Sequence, residues 1–501
     1  MRQEIKDRAV WLAVLLGIIP LLGWWTYGLF DLDEGFYAAV TAEMNRRGEW
    51  IIPLYNGHPW FEKPILLYWV AKPCLAIFGD AVGPRLPSLV ATVGTYCLIA
   101  WFAKRHFQPR QAVASVLVAA GSLIVIAAGR MMLTDPLLLF CLTGMILTFW
   151  ESLTGNPKWR LAAAAFMGLA VLTKGPVACI EFVCLAGITY WRQPDLRPKF
   201  KGGWLAGTAI FLAIVASWYV PAYLEDGHEF VQKFLIEQNI GRFAGGDEAH
   251  TVRGITGLIF YPAIILVGFA PWSGYLYRVW KTPTTDAPLR QYLTTWFLVI
   301  LVLFTAAGAK LPSYVLPMAP AVALLVGPYI SRNWHTPKQA WFPVAWLLAL
   351  GAFAQWAFSS YYYGIQIPGL EIPALHIKTD GRDVPGFHAE VQNMAKYVRA
   401  NATPTDQVAE YRLGRQQTAK GTGKPEIQET THPSTLLYLQ RDVIETDDWS
   451  QILASKQREW IITRWNRVTA QDLNQAQGRV QQVNTPFPQD LYALYLYTPS
   501  K

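Results

Sequence analysis

Charge is what this sequence has least of. Only 16% of its 501 residues are Asp, Glu, Lys or Arg, against about 25% in soluble globular chains, and the deficit falls almost wholly on the first 360 residues. A water-exposed surface over that stretch is excluded. Cysteine is scarce as well. Cys74, Cys97, Cys141, Cys179 and Cys184 all sit in apolar segments, and the polar C-terminal region has none. No disulfide framework and no metal-ligand spacing can be built from them. The C-terminal region has no glycine-rich phosphate loop. No basic, aromatic-interleaved patch of the nucleic-acid type stands out, so the net charge of +8 is not read as a nucleic-acid signal. No internal repeat is evident.

What the sequence does have is apolar runs, at 9–30, 86–103, 111–128, 133–150, 160–173, 176–191, 203–224, 254–277, 291–309, 311–330 and 339–359. A bilayer core offers backbone no hydrogen-bond partner, so such runs must close their bonds as helices, and they predict about eleven spans. The first run is read as a retained anchor rather than a cleaved signal, because it lacks a clear small-residue cleavage site. The stretch 65–79 is brief and carries Lys72 and Pro73; it is expected at the membrane interface.

Basic residues decide the orientation. With 65–79 at the interface, one set of loops holds Lys104, Arg105 and Arg110; Lys158 and Arg160; Arg192, Arg197, Lys199 and Lys201; Arg278, Lys281 and Arg290; Arg332 and Lys338. The positive-inside rule places that set in the cytoplasm with the N-terminus. The expected protein is therefore a multi-pass α-helical protein of the inner (plasma) membrane. Its first domain is 1–359, with large periplasmic loops at 31–85 and 225–253. A second domain, 360–501, regains charge and is expected in the periplasm as a small α/β unit. Its helices are expected at 388–401 and 448–457, and its alternating strands at 407–413, 459–464, 479–484 and 491–498.

In this orientation the conspicuous charges fall on one face. Asp33 and Glu34 follow the first run and lead into an amphipathic stretch from Phe36 to Met44. Arg130 and Asp135 end "RMMLTD", Lys174 lies in "TKGP", Lys63 in "FEKP", Arg242 in "GRF" and Lys310 in "AKLPSYVLP". Each has an ordinary explanation: solvated interfacial acids, a helix cap at Thr134 or Asp135, a lysine snorkelling from a Gly-Pro turn. Together they form a ring of cations beside acids. Lipid phosphate needs cationic partners, and a hydroxyl attacking an anomeric carbon needs a carboxylate base. Phosphate is already a good leaving group, so paired glycosidase-type acids are not required.

Over roughly residues 10–330 the motifs "DEGFYA" (33–38), "FEKP" (61–64), "RMMLTD" (130–135), "TKGP" (173–176), "GRF" (241–243) and "KLPSYVLP" (310–317) occur in the order known from one family. The chain resembles the C-type (GT-C) glycosyltransferases that use polyprenyl-phosphate sugars, in the branch of protein O-mannosyltransferases and lipid A aminoarabinose transferases. The resemblance implies a polyprenyl-phosphate-linked sugar as donor and an envelope glycolipid, glycan or protein as acceptor. It implies Asp33 as the key acid, Asp135 as a second, and Lys63 and Arg242 at the donor phosphate. Some relatives bind a divalent metal (Zn, Mg or Mn); here Glu62 and His250 would be its ligands. One position departs: Phe36 stands where the aminoarabinose transferases carry Arg, which favours a broader sugar-transferase reading. A transporter of a lipid-linked or small anionic substrate is the alternative, but transporters carry charges inside their spans. Here the spans are nearly charge-free, Glu181 excepted. A non-catalytic scaffold would leave the charge ring unexplained.

Overall fold

The computed structural model describes residues 2–31, 33–241, 254–282, 286–332, 334, 337–363, 378–379, 382–383, 387–413, 416–418, 425–427 and 432–499. Among the described residues, seven helices are long and apolar enough to cross a membrane. Two bent pairs would add one crossing each: Pro109–Ala120 with Leu123–Gly129, bent by 61°, and Gly254–Gly268 with Trp272–Lys281, bent by 105°. The expected runs 160–173 and 176–191 are the helices Trp159–Lys174 and Val177–Arg192, of 16 residues each. At about 1.5 Å rise per residue they are shorter than a hydrocarbon core of about 30 Å.

The chain forms two compact units. The first comprises Met1–Trp24, Phe61–Ala71 and Arg85–Ala354 and is helical. Thr134–Thr154 and Trp159–Lys174 follow one another through a short turn and pack side by side. Their antiparallel course returns Lys174 to the start of the preceding helix. The sequence reading takes 225–253 as a loop, and here the structure differs. The helix Trp204–Glu229 kinks at Asp226 and continues as a wider π-helix over Phe230–Gly241. The cause is aromatic packing: the Phe230 and Phe234 rings lie 5.3 and 5.5 Å from that of Trp218, and that burial keeps the segment helical.

The second unit comprises Trp25–Trp60, Lys72–Pro84 and Gln355–Lys501, so part of the first large loop folds with the C-terminal region. Its five-stranded sheet runs Val480–Gln482, Tyr492–Tyr497, Glu459–Arg464, Gln407–Tyr411, Ile444–Thr446. The first two pairings are antiparallel and the last two parallel. Side chains alternate between faces. One face packs Ala409, Tyr411, Ile461, Ala493 and Tyr495 against Trp449 and Ile452. The helix Phe387–Asn401 buries Val391, Met394, Ala395 and Val398, an i, i+3, i+4, i+7 stripe.

The helix Asp33–Arg47 belongs to this unit too. Its C-terminal end is held by Lys72, whose ammonium donates to the carbonyls of Met44 (3.2 Å) and Glu49 and lies 3.8 Å from the Trp50 ring centroid.

Candidate active site

Contacts sort the helix ends of the first unit into two sets. Arg105 and His106 both reach the buried Glu151, at 3.0 and 2.6 Å. Arg160 donates to the carbonyls of Lys199 and Gly202, and Gln193 Nε2 donates to that of Pro288 at 3.0 Å. These interactions gather one end. The opposite end carries Arg85, Arg130, Asp135, Lys174 and Lys310, each at a helix terminus or in the turn beside one.

Asp135 and Lys174 form its centre. Asp135 lies in the first turn of its helix and Lys174 in the last turn of the next. Each terminus carries the partial charge that favours the side chain it bears. Lys174 Nζ donates to Asp135 Oδ1 at 2.7 Å, and both side chains are nearly buried. Gly175, with φ of 80°, ends the lysine's helix in a backbone conformation that favours glycine. The N-cap of the aspartate's helix is Leu133, with no side-chain cap bond. Asp135 is therefore an ion-pair partner and not a cap. The Ser313 hydroxyl and the Lys63 ammonium also act on the Asp135 carboxylate. The Tyr314 ring lies 4.6 Å from Lys174 Nζ.

The other predicted cations of this unit divide by what their protons already do. Lys63 Nζ donates to Glu62 Oε1 at 2.9 Å. Arg130 is fully buried and donates to the Pro20 carbonyl at 3.2 Å. Lys310 donates to the carbonyls of Phe304, Thr305 and Ala307 at 3.2, 2.8 and 3.0 Å. These are the orphan acceptors where the helix Ala287–Ala306 ends. Lys310 thus closes a helix end with all three of its protons.

In the second unit, Asp33 and Glu34 open the helix Asp33–Arg47 and separate in role. Glu34 is buried, and its Oε2 accepts from Phe30 N–H at 2.8 Å. Asp33 is exposed at the positive helix terminus. Phe36, one turn on, stacks on Trp60 with centroids 4.6 Å apart and 14° between planes. Arg242 and His250 lie outside the described residues.

A family model described as dolichyl-phosphate-mannose-protein mannosyltransferase matches residues 62–220. The chain is 30% identical over 334 residues to the undecaprenyl phosphate-alpha-4-amino-4-deoxy-L-arabinose arabinosyl transferase of Edwardsiella ictaluri (strain 93-146), covering 64% of this chain and 58% of that protein. It is 31% identical over 335 residues to an uncharacterized protein of Aquifex aeolicus (strain VF5), covering 66% of this chain and 75% of that one. The chain belongs to the GT-C glycosyltransferases, in the mannosyltransferase and aminoarabinose transferase branch. It spans less than two thirds of the length of the Edwardsiella relative. The fold matches the crystal structure of ArnT from Cupriavidus metallidurans bound to undecaprenyl phosphate, with a TM-score of 0.73 over 97% of both chains at 17% identity. As in that family, the chain is a multi-pass membrane protein.

In this GT-C chain the metal ligands that the resemblance implies are Glu62 and His250. The Glu62 carboxylate is engaged by Lys63. Among the described residues no three His, Cys, Asp or Glu side chains converge as ligands, and His250, the second ligand the resemblance implies, lies outside them. Three residues join the family motifs without having been singled out from sequence. Ser313 and Tyr314 lie inside "KLPSYVLP", where Lys310 drew the attention. Arg85 is almost fully buried and donates to the Trp24 carbonyl at 2.7 Å; its signal was a lone arginine directly before an apolar run. Glu181 is buried in its helix, and neither carboxylate oxygen has a partner among the described residues.

Proposed function

We propose that this chain transfers a monosaccharide from a polyprenyl-phosphate donor of the undecaprenyl-phosphate type to an acceptor at the periplasmic face of the inner membrane. The acceptor is lipid A, another envelope glycan or a protein. The observation that carries the proposal is the buried Asp135–Lys174 pair, with the Lys63 charge acting on it. Cations withdrawn from water at a helix-end cluster are strong partners for a lipid phosphate. The cation-rich loops at the other ends of the helices support the periplasmic orientation.

In the reaction, the acceptor oxygen bonds to the anomeric carbon as the carbon–phosphate oxygen bond breaks. The electron pair leaves with the polyprenyl phosphate. Lys63 and Arg242 are assigned to the phosphate, which gains charge as it departs. A hydroxyl acceptor gives its proton to the Asp33 carboxylate; an acceptor that is itself a phosphate is already anionic and needs no base. Asp135 and Lys174 hold each other in place, with Arg130 and Lys310 supporting the helix ends around them. Phe36 puts an aromatic ring where aminoarabinose transferases carry a cation, which supports a broader sugar specificity.

The test is Asp33→Asn in a purified transfer assay with a polyprenyl-phosphate sugar. Turnover is expected to fall by about 100-fold or more with little change in thermal stability, since an exposed acid holds no core together. A rate within a few-fold of wild type would overturn the assignment of Asp33. Mass spectrometry of lipids and envelope glycans from cells with and without the gene identifies sugar and acceptor. Identical profiles would overturn the proposed function.

A further inference from the structure

The segment that carries Asp33 is built into the second unit by a chain of buried hydrogen bonds, and its partners all come from the far end of the sequence. Asp31 Oδ1 accepts from Ser434 N–H at 2.9 Å, and Oδ2 lies 3.2 Å from His432 Nδ1. His432 Nε2 lies 2.7 Å from the Tyr492 hydroxyl. The Asp31 and His432 side chains are 2% and 1% exposed, and Tyr492 is buried. With Asp31 ionised, the network assigns the proton to Nδ1, which donates to the carboxylate, while Nε2 accepts from the tyrosine.

A second set of bonds grips the same segment two residues earlier. Gln392 Nε2 donates to the Leu29 carbonyl at 2.7 Å and to Ser434 Oγ at 2.9 Å. The Tyr362 hydroxyl donates to Gln392 Oε1 at 2.7 Å. Leu29 N–H in turn donates to the Tyr438 hydroxyl at 3.3 Å. The fit leaves no slack at Gly28, where an added Cβ would stand 2.3 Å from both Gln392 Oε1 and the Tyr362 hydroxyl.

We propose that the C-terminal region positions the catalytic-acid segment of this glycosyltransferase, with Asp31–His432–Tyr492 as the clamp that sets where Asp33 points. His432 and Tyr492 are positioning residues: they act through Asp31, two residues before Asp33. The inference rests on the reading of Asp33 given above. It assigns a task to the C-terminal region. A carboxylate beginning a helix is aimed by the backbone before it, and that backbone is fixed by side chains from three separate stretches around residues 392, 432–438 and 492. Burial matters to this design. A hydrogen bond shielded from water is made firmly and is costly to break.

The experiment compares full-length wild type with His432→Ala, His432→Asn and Tyr492→Phe. Steady-state transfer and hydrogen–deuterium exchange of the peptides over residues 28–38 are both read. Ile452→Ala is the control: it loosens the core on the sheet's other face, where Ile452 packs and Tyr492 does not. The expected result is a fall in kcat of about 10-fold or more for His432→Ala, since a small misplacement of a reacting group is costly, with KM for the donor within about two-fold and exchange over 28–38 accelerated. His432→Asn, which keeps an N–H at the Nδ1 position, recovers most of the rate. Tyr492→Phe shows the same loss in milder form. If His432→Ala and Ile452→Ala lose activity only in proportion to lost thermal stability, or if exchange over 28–38 is unchanged, the clamp is overturned. A wild-type protein that transfers no polyprenyl-phosphate sugar overturns the functional reading instead, and the exchange data still decide whether the segment is clamped.

Discussion

Lys63 and Lys310 look alike in sequence: each is a lone lysine beside proline-containing apolar segments. The structure gives them different partners. Lys310 spends three protons on the carbonyls of Phe304, Thr305 and Ala307, whereas Lys63 donates to the carboxylate of its neighbour Glu62 at 2.9 Å and its charge also reaches Asp135. Lys310→Ala is expected to leave buried acceptors unpaired and cost about 1–3 kcal/mol of stability, with donor affinity unchanged. Lys63→Ala is expected to melt like wild type and bind a polyprenyl phosphate more weakly, by about 1.5–3 kcal/mol for a lost charge-assisted contact. Thermal melting and lipid-binding titration on both variants check the contrast. Equal donor affinity in folded Lys63→Ala would return that lysine to a purely interfacial role. Asp135 teaches the same lesson at one residue's distance from a plausible cap: its carboxylate goes to Lys174 because the neighbouring helix ends there.

At the scale of the element, what positions the charges is where helices stop. The turn "TKGP" works because Gly175 takes φ of 80° and ψ of −161°, a region that other residues occupy only under strain. Gly175→Ala is expected to cost about 1–3 kcal/mol and to lower activity together with stability, because the strain falls directly on the Lys174–Asp135 contact. Chemical denaturation and turnover measured on the same preparation test this. Full activity with unchanged stability would show that the turn tolerates a side chain. The other ends of these helices show the complementary arrangement, with Glu151 held by Arg105 and His106. An acid near the end of a long apolar helix is tolerated where two bases reach it.

At the scale of the whole molecule, the second unit carries several buried acids. Burial, with Glu445 and Asp31 adding to it, pushes Glu410 up to about 8 despite the hydroxyl of Thr435. Burial likewise pushes Glu390 and Glu459 up to about 7. Asp406 is the exception: despite the desolvation of burial, it is drawn down to about 2 by bonds from Thr403, Trp460 and Arg458. The sign follows from linkage. Between the ordinary carboxylate value of 4.5 and the raised folded values, the folded unit holds protons that the unfolded chain has released, so stability falls as pH rises from about 4.5 to 8. The contribution of Asp406 runs the other way, present above its ordinary value of 3.8 and lost as pH falls toward 2. The melting temperature is therefore expected to be lower at pH 8 than at pH 5.5, and Glu410→Gln to flatten that slope and stabilise the protein at pH 8. Calorimetry at a few pH values is sufficient, and a Glu410→Gln slope equal to that of wild type would refute the assignment. Thr435, the partner of Glu410, adjoins Ser434, whose N–H holds Asp31.

The sequence by itself determined the class of protein, the positions of its apolar helices and the strands Gln407–Tyr411, Glu459–Arg464, Val480–Gln482 and Tyr492–Tyr497, because periodicity and the exclusion of charge from lipid act locally along the chain. It also marked Asp33, Asp135, Lys63 and Lys174 as the residues to watch, since a charge beside a long apolar run stands out wherever it folds. The edge strand Ile444–Thr446 was too short to alternate visibly. The tasks of those charges were decided only by tertiary structure. Lys310 became a helix-end clasp, Glu34 a backbone anchor and Asp31 the grip point for His432, because each depends on a partner's position in space. No local pattern records that Asp31 and His432, some 400 residues apart in the chain, meet at 3.2 Å.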